Sequence, residues 1–329
     1  MPFAKNVKFA WRYLYICKTR FSETMMKNVI ITGANSGLGF ETAKKIAKTS
    51  KEFRLILACR NVQKGNEAKE MIISESGNEN VLVMKLDTAS LEAVRDFAQD
   101  YAQSGCGAIH ALLCNAGING THSGLTEDGF DLVFQTNHLG HFLLTRLLLP
   151  QMAPEGLVFA TSSDMHDPPM GKFDWPGTGR LAHPGEELAK KNIRYSYSKL
   201  CNLYFIYGLA ERLKQQDCGI KANAFNPGLM QTNFASVTKA SMAFVKMSMP
   251  DRCGDLEKSS AAYARLVTQV GLVQESGLYY DRSINVKRSS PLSYDEANRE
   301  ELWAASSGYC GLEPDVNADV PGRPAALQG

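Results

Sequence analysis

The chain has 329 residues, 36 Lys and Arg against 34 Asp and Glu, and a formal net charge of +2. That balance excludes a broad cationic footprint for nucleic acid and an acidic solvating tail, while 44% apolar and 21% charged residues exclude disorder as the dominant state. The length exceeds what one α/β sheet requires and leaves room for a core that needs no disulfide or metal staple.

Residues Met1–Met25 read MPFAKNVKFAWRYLYICKTRFSETM. The apolar stretch from Phe9 to Cys17 is broken by Arg12, is far shorter than the roughly 20 residues that span a bilayer, and is followed by no small-residue cleavage pattern. Its basic residues (Lys5, Lys8, Arg12, Lys18, Arg20) alternate with Phe9, Trp11, Tyr13, Tyr15 and Phe21. Two readings stay open: an interfacial helix making peripheral contact with an anionic membrane, or a segment packed on the domain or a partner or used for targeting. The eight cysteines form no CxxC pair. They predict a reducing compartment, cytoplasmic or organellar, and no structural zinc.

From Lys27 onward, short apolar runs alternate with helical patterns. Strands are predicted at Asn28–Thr32, Arg54–Cys59, Val81–Leu86, Ala111–Cys114, Leu157–Thr161 and Lys221–Phe225. Between the third and fourth lies LEAVRDFAQDYA, in which Leu91, Val94, Phe97 and Tyr101 share one helix face, with Ser90 as the predicted N-cap. Alternation of this kind predicts an α/β fold, a doubly wound parallel sheet in a single domain. Longer helices are predicted near Thr126–Leu149 and Tyr195–Gln215. The stretch Asp164–Arg194 is rich in Pro and Gly and reads as an inserted lobe. A tail at 313–329 lacks periodicity and is predicted to fray.

The first strand runs into Thr32-Gly33-Ala-Asn35-Ser36-Gly37-Leu38-Gly39 and then a helix over Phe40–Lys48. Glycines at a strand-to-helix turn let backbone N–H groups and the helix N-terminus meet a pyrophosphate. Further along stand Cys114-Asn115-Ala116-Gly117, NHLGHF at Asn137–Phe142, Tyr195-Ser-Tyr-Ser-Lys199 and Asn226-Pro227-Gly228. This ordered set, over about Met26–Leu312, resembles the short-chain dehydrogenase/reductase superfamily. NHLGHF, SKLCN and the C-terminal Leu292…Trp303…Leu312 run resemble its subgroup of retinol dehydrogenases, WW-domain oxidoreductases and light-dependent protochlorophyllide reductases.

The resemblance implies a Rossmann fold and a nicotinamide dinucleotide cofactor. It implies cofactor contacts at Gly33, Asn35, Ser36, Gly37, Leu38, Gly39, Asp87, Asn115, Ala116, Gly117, Pro227, Gly228 and Thr232. The second strand ends in Ala58-Cys59-Arg60, without the acidic residue that would bind the ribose hydroxyl of NAD, so NADP(H) is predicted, with Arg60 on its 2′-phosphate. Tyr195 and Lys199 stand four apart and share a helix face, where an ammonium favours the phenolate. By resemblance Tyr195 is the proton donor or base, and Lys199 also holds the nicotinamide ribose. A hydroxyl ending the fifth strand faces the cleft; Ser163 aligns with the catalytic serine of the superfamily, and Ser162 is one register away. Asn137 takes the role of holding a relay water. His138 and His141, three apart, are assigned packing or surface roles rather than metal ligation.

The expected activity is NADP-dependent hydride transfer to or from a bulky apolar carbonyl or alcohol, a small-molecule substrate and not nucleic acid. The lobe at 164–194 and a Met-rich lid at 229–250 would shape its site. Protochlorophyllide reduction is the first alternative, and a non-catalytic dinucleotide-binding scaffold the second. The two long helices are where members of the superfamily often form homodimers.

Overall fold

The computed structural model describes residues 26–169, 172–189, 193–230, 247–249 and 252–316. Eight strands form one sheet in the order β3-β2-β1-β4-β5-β6-β7-β8. The strands are β1 (Lys27–Thr32), β2 (Phe53–Cys59), β3 (Val81–Lys85), β4 (Ile109–Cys114), β5 (Met152–Thr161), β6 (Lys221–Asn226), β7 (Tyr279–Asp281) and β8 (Val286–Lys287). All pairs are parallel except β7 with β8. The six predicted strands are present. The two missed ones have three and two residues, too short to carry a hydrophobic period.

Alternate residues of each strand feed two cores, because successive side chains point to opposite faces. Ile30, Leu112 and Val158 face one layer, and Val29, Ile31, Leu113 and Phe159 face the other. The second layer holds α1 (Gly37–Thr49), α2 (Val62–Ser76) and α9 (Leu256–Thr268), with α1 packed along α9. The first holds α3 (Leu91–Gln103), the rod of α4 (Leu132–Phe134), π-helical Gln135–Leu139 and α5 (Gly140–Leu148), then α8 (Ile193–Gln215) and α10 (Glu296–Tyr309). The lobe contributes two short helices, α6 (Thr178–Ala182) and α7 (Glu186–Ala189).

Several boundaries differ from expectation for identifiable reasons. The helix after the glycine turn begins at Gly37, inside the motif. The rod predicted from Thr126 begins at Leu132, because Thr126–Phe130 closes a turn on itself and Asp131 then caps the helix. The tail does not fray at its start: Arg146 donates to the carbonyls of Glu313 and Asp315, both at 2.9 Å, Trp303 donates to Pro314 at 2.7 Å, and Val316 is wholly buried. The N-terminal segment, residues 231–246 of the predicted lid and residues 317–329 lie outside the described residues. Among the described residues, no helix is long and apolar enough to cross a membrane.

Candidate active site

The chain switches direction across the sheet between β1 and β4, and a crevice opens beyond the carboxyl ends of the strands, where such sheets bind ligands. The cleft has a volume of about 970 Å³. Its floor is the glycine turn. Gly33 sits at φ +67°, and a Cβ there would lie 3.0 Å from Ala116 Cα. At Gly39 a Cβ would meet Asn115 Nδ2 at 2.6 Å and the Gly33 carbonyl at 2.8 Å. Ser36 caps α1 without a side-chain hydrogen bond, and its first turn holds no acidic residue, so the positive end of the helix dipole faces the cleft uncompensated.

Thr32 ties this floor to the loop after β4. Its Oγ1 accepts from the backbone N–H groups of Asn115 at 2.9 Å and Ala116 at 2.8 Å, while Asn115 Nδ2 donates to the Thr32 carbonyl. His141 completes the joint. Its Nδ1 faces the Asn137 carbonyl at 3.2 Å and must donate, which leaves Nε2 to accept from the Thr32 hydroxyl at 2.9 Å. Burial pushes the His141 imidazole down to about 4, so it stays neutral and keeps that tautomer. A surface role for either histidine is therefore corrected: both are buried, and His138 bonds Ser306 at 3.0 Å within the core.

At the opposite side, β5 delivers two serines and α8 delivers Tyr195 and Lys199. Ser163 stands beside the Tyr195 side chain, whose phenolate its hydroxyl favours, and accepts from the Met165 N–H at 3.2 Å. Ser162 instead donates its hydroxyl to the Lys199 carbonyl at 2.9 Å, which separates the two registers that the sequence left one apart. Lys199 donates to the Thr161 carbonyl at 2.9 Å and stands 5.5 Å above the Tyr195 ring. Burial pushes Tyr195 up to about 12, with the Ser163 bond acting the other way, and holds Lys199 down at about 8. Tyr197, two residues on, points away, stacking on Phe173 and donating to the Asp174 carbonyl.

Gly33, Asn35, Ser36, Gly37, Leu38, Arg60, Asp87, Asn115, Ala116, Gly117, Ser163, Tyr195, Lys199, Pro227 and Gly228 all line the one cleft. Thr232 lies outside the described residues. Gly39 does not line the cleft. Asn137 does not line the cleft: its carboxamide accepts from Ile118 N at 2.8 Å and donates to the Ile118 carbonyl and to Ser198 Oγ, both at 2.9 Å. It sits in the π-helical turn, which brings that side chain round to the loop after β4. The sequence reading missed Lys64, which lines the same end of the cleft as Arg60. The signal was available, since Lys64 lies one helical turn beyond Arg60 in a helix capped by Asn61. Neither cation forms an ion pair with a described residue. Ile118, Met165, Leu229 and Met230 add an apolar side to the mouth.

Comparison with known proteins matches residues 27–173 to the short chain dehydrogenase family. Human retinol dehydrogenase 13 is 33% identical over 311 residues, covering 90% of this chain and 88% of its own. Mouse retinol dehydrogenase 11 is 33% identical, with 88% of each chain covered. The WW domain-containing oxidoreductase of Gallus gallus is 41% identical over 212 residues, and the match spans about half (49%) of that longer protein. Among solved structures, an uncharacterized protein from Mycobacterium paratuberculosis superposes with TM-score 0.65 at 29% identity, over 87% of this chain and 94% of that one. L-sorbose reductase from Gluconobacter frateurii, solved with NADPH and L-sorbose, shares the fold at TM-score 0.59 and 20% identity, over 78% and 95% of the two chains.

Proposed function

This chain belongs to the short-chain dehydrogenase/reductase family, and from that premise we propose that it is an NADP-dependent oxidoreductase acting on a bulky apolar carbonyl or alcohol. The observation that carries the reading is the convergence of Ser163, Tyr195 and Lys199 on one cleft, with the Lys199 ammonium 5.5 Å above the tyrosine ring, opposite the glycine turn.

The residues fit a dinucleotide. The glycine floor admits close backbone approach, the α1 N-terminus and Arg60 and Lys64, which form no ion pair with a described residue, favour anionic groups, and the absence of an acid after β2 favours the phosphorylated cofactor. When bound, the nicotinamide supplies or accepts the hydride. In the reducing direction Tyr195 donates its phenolic proton to the carbonyl oxygen, and Ser163 donates a hydrogen bond to that oxygen as negative charge develops. Lys199 stabilises the phenolate left behind; in the oxidising direction the same phenolate takes the alcohol proton. Asn137 acts through Ile118 and Ser198, which it holds in place. Ile118, Met165, Leu229 and Met230 support an apolar substrate at the mouth.

The test is NADPH oxidation against aldehydes and ketones of increasing apolar size, in the dark. Wild-type protein is expected to turn over the larger members, and Tyr195→Phe to lower kcat roughly 10²- to 10⁴-fold, the usual worth of a positioned acid. Unchanged turnover in Tyr195→Phe overturns the mechanism, and turnover that needs a tetrapyrrole and light overturns the substrate class.

A further inference from the structure

Immediately before Tyr195 stands Arg194, a buried residue that the proposed chemistry does not use. Its Nη1 donates to Asp131 Oδ2 at 2.5 Å, in an ion pair whose side chains are only 6% and 2% exposed. Its Nη2 donates to the carbonyls of His122 at 2.7 Å and Gly120 at 3.4 Å. Asp131 is fully engaged in turn. Its Oδ1 accepts from the N–H groups of Val133 and Phe134 at the start of α4, and its own N–H donates to the Ala182 carbonyl of the lobe at 2.7 Å. One planar guanidinium therefore joins the first turn of α8, the loop after β4 and the start of the π-helical rod, and Asp131 links them onward to the inserted lobe.

The loop it grips is part of the cleft, since Asn119, Gly120 and Thr121 line it together with Ser163 and Tyr195. Asn137 fixes the near end of this loop at Ile118, and Arg194 fixes the far end at Gly120 and His122. We propose that Arg194 is a positioning residue that holds the Asn119–Thr121 rim against the Tyr195 end of α8 and so sets the seat of the carbonyl substrate. The proposal deepens the carbonyl-reducing reading and rests on it. The chemistry requires arginine: a carboxylate and two carbonyls are met at once by a rigid fork of donors, whereas a lysine ammonium offers a compact charge on a flexible stem.

Arg194→Met alone leaves the Asp131 carboxylate buried without compensation, which endangers folding. The decisive variant is therefore Arg194→Met/Asp131→Asn, which removes both charges while the asparagine side chain still serves as a helix cap. Amide hydrogen exchange over residues 118–122 is measured with NADPH bound and without turnover, alongside KM and kcat for the best carbonyl substrate and NADPH affinity. The expected result is exchange at Gly120 and His122 at least about tenfold faster, KM raised at least about tenfold, and kcat and NADPH affinity changed less than about threefold. Arg194→Lys, which keeps the charge, is expected to fall between wild type and the double variant, and it carries the test if the double variant does not fold. Wild-type exchange together with wild-type KM in either folded variant overturns the proposal. A wild-type protein that reduces no carbonyl sinks the activity reading instead, and the exchange measurement still decides whether Arg194 holds the rim.

Discussion

Lys199 has no carboxylate partner among the described residues; it meets only a backbone carbonyl and the face of Tyr195, so burial holds it at about 8. The sign follows from that direction. Below about 8 the ammonium is charged and attracts an anionic dinucleotide, and above it the charge is lost while the fold itself is relieved of a buried cation. The kcat/KM for NADPH, which reports the free enzyme, is therefore expected to be flat below about pH 8 and to fall above it. Lys199→Arg, which stays charged, should remove that limb; an unshifted limb would assign it elsewhere. Arg60 supports a second residue-scale prediction. Arg60→Ala is expected to lower the ratio of kcat/KM for NADPH over NADH by about 10- to 100-fold, the worth of a hydrogen bond to a charged group. Lys64→Ala should add to the loss, and a ratio indifferent to both would exclude a 2′-phosphate at that end.

Elements carry what single residues cannot. The glycine turn works because β1 and the loop after β4 approach almost to contact, and Gly39→Ala tests that closeness. Its new Cβ would lie 2.6 Å from Asn115 Nδ2 and 2.8 Å from a backbone oxygen. The expected cost is about 1–3 kcal/mol of stability, as for other overpacked sites, with weakened dinucleotide binding. Thermal melting and cofactor titration check both, and an unperturbed Gly39→Ala would mean that the floor yields. The turn, the helix capped by Ser90 and the four-residue step from Tyr195 to Lys199 were legible because each is written within a few consecutive residues. Asn137 was legible as important, yet its partners were not: they depend on a π-helical turn and on Ile118 and Ser198, 19 and 61 positions away. His141 was read as a bystander because its partner Thr32 lies 109 positions earlier.

At the scale of the molecule, the two long helices are packed deep within one chain. Residues Ser196–Ala210 of α8 are all buried within one chain. Trp303 of α10 packs on Phe142 of α5 and Phe205 of α8 at centroid distances of 5.0 and 6.2 Å, with Arg212 4.1 Å above its ring. The docked Glu313–Val316 segment closes over the same side. Sedimentation is expected to give a monomer. Trp303→Ala should cost about 3–5 kcal/mol, as for a large buried aromatic, and should promote self-association by uncovering Phe142 and Phe205. A stable wild-type dimer, or a mutant that neither melts earlier nor associates, would contradict this arrangement.

The sequence by itself determined the six longer strands in chain order and the glycine turn, because these features are local: short apolar runs, a period of 3.6, and motifs a few residues long, whose resemblance to a known superfamily then implied the residues that line the cleft. It also located the surplus chain, before the first strand, in the lobe and in the tail. Tertiary structure decided which serine meets Tyr195, that Asn137 stands behind the cleft wall, that Lys64 joins Arg60, and that α10 and residues 313–316 close over α5 and α8. Each of these depends on hydrogen bonds or packing between segments far apart in sequence, fixed only when the layers close on the sheet.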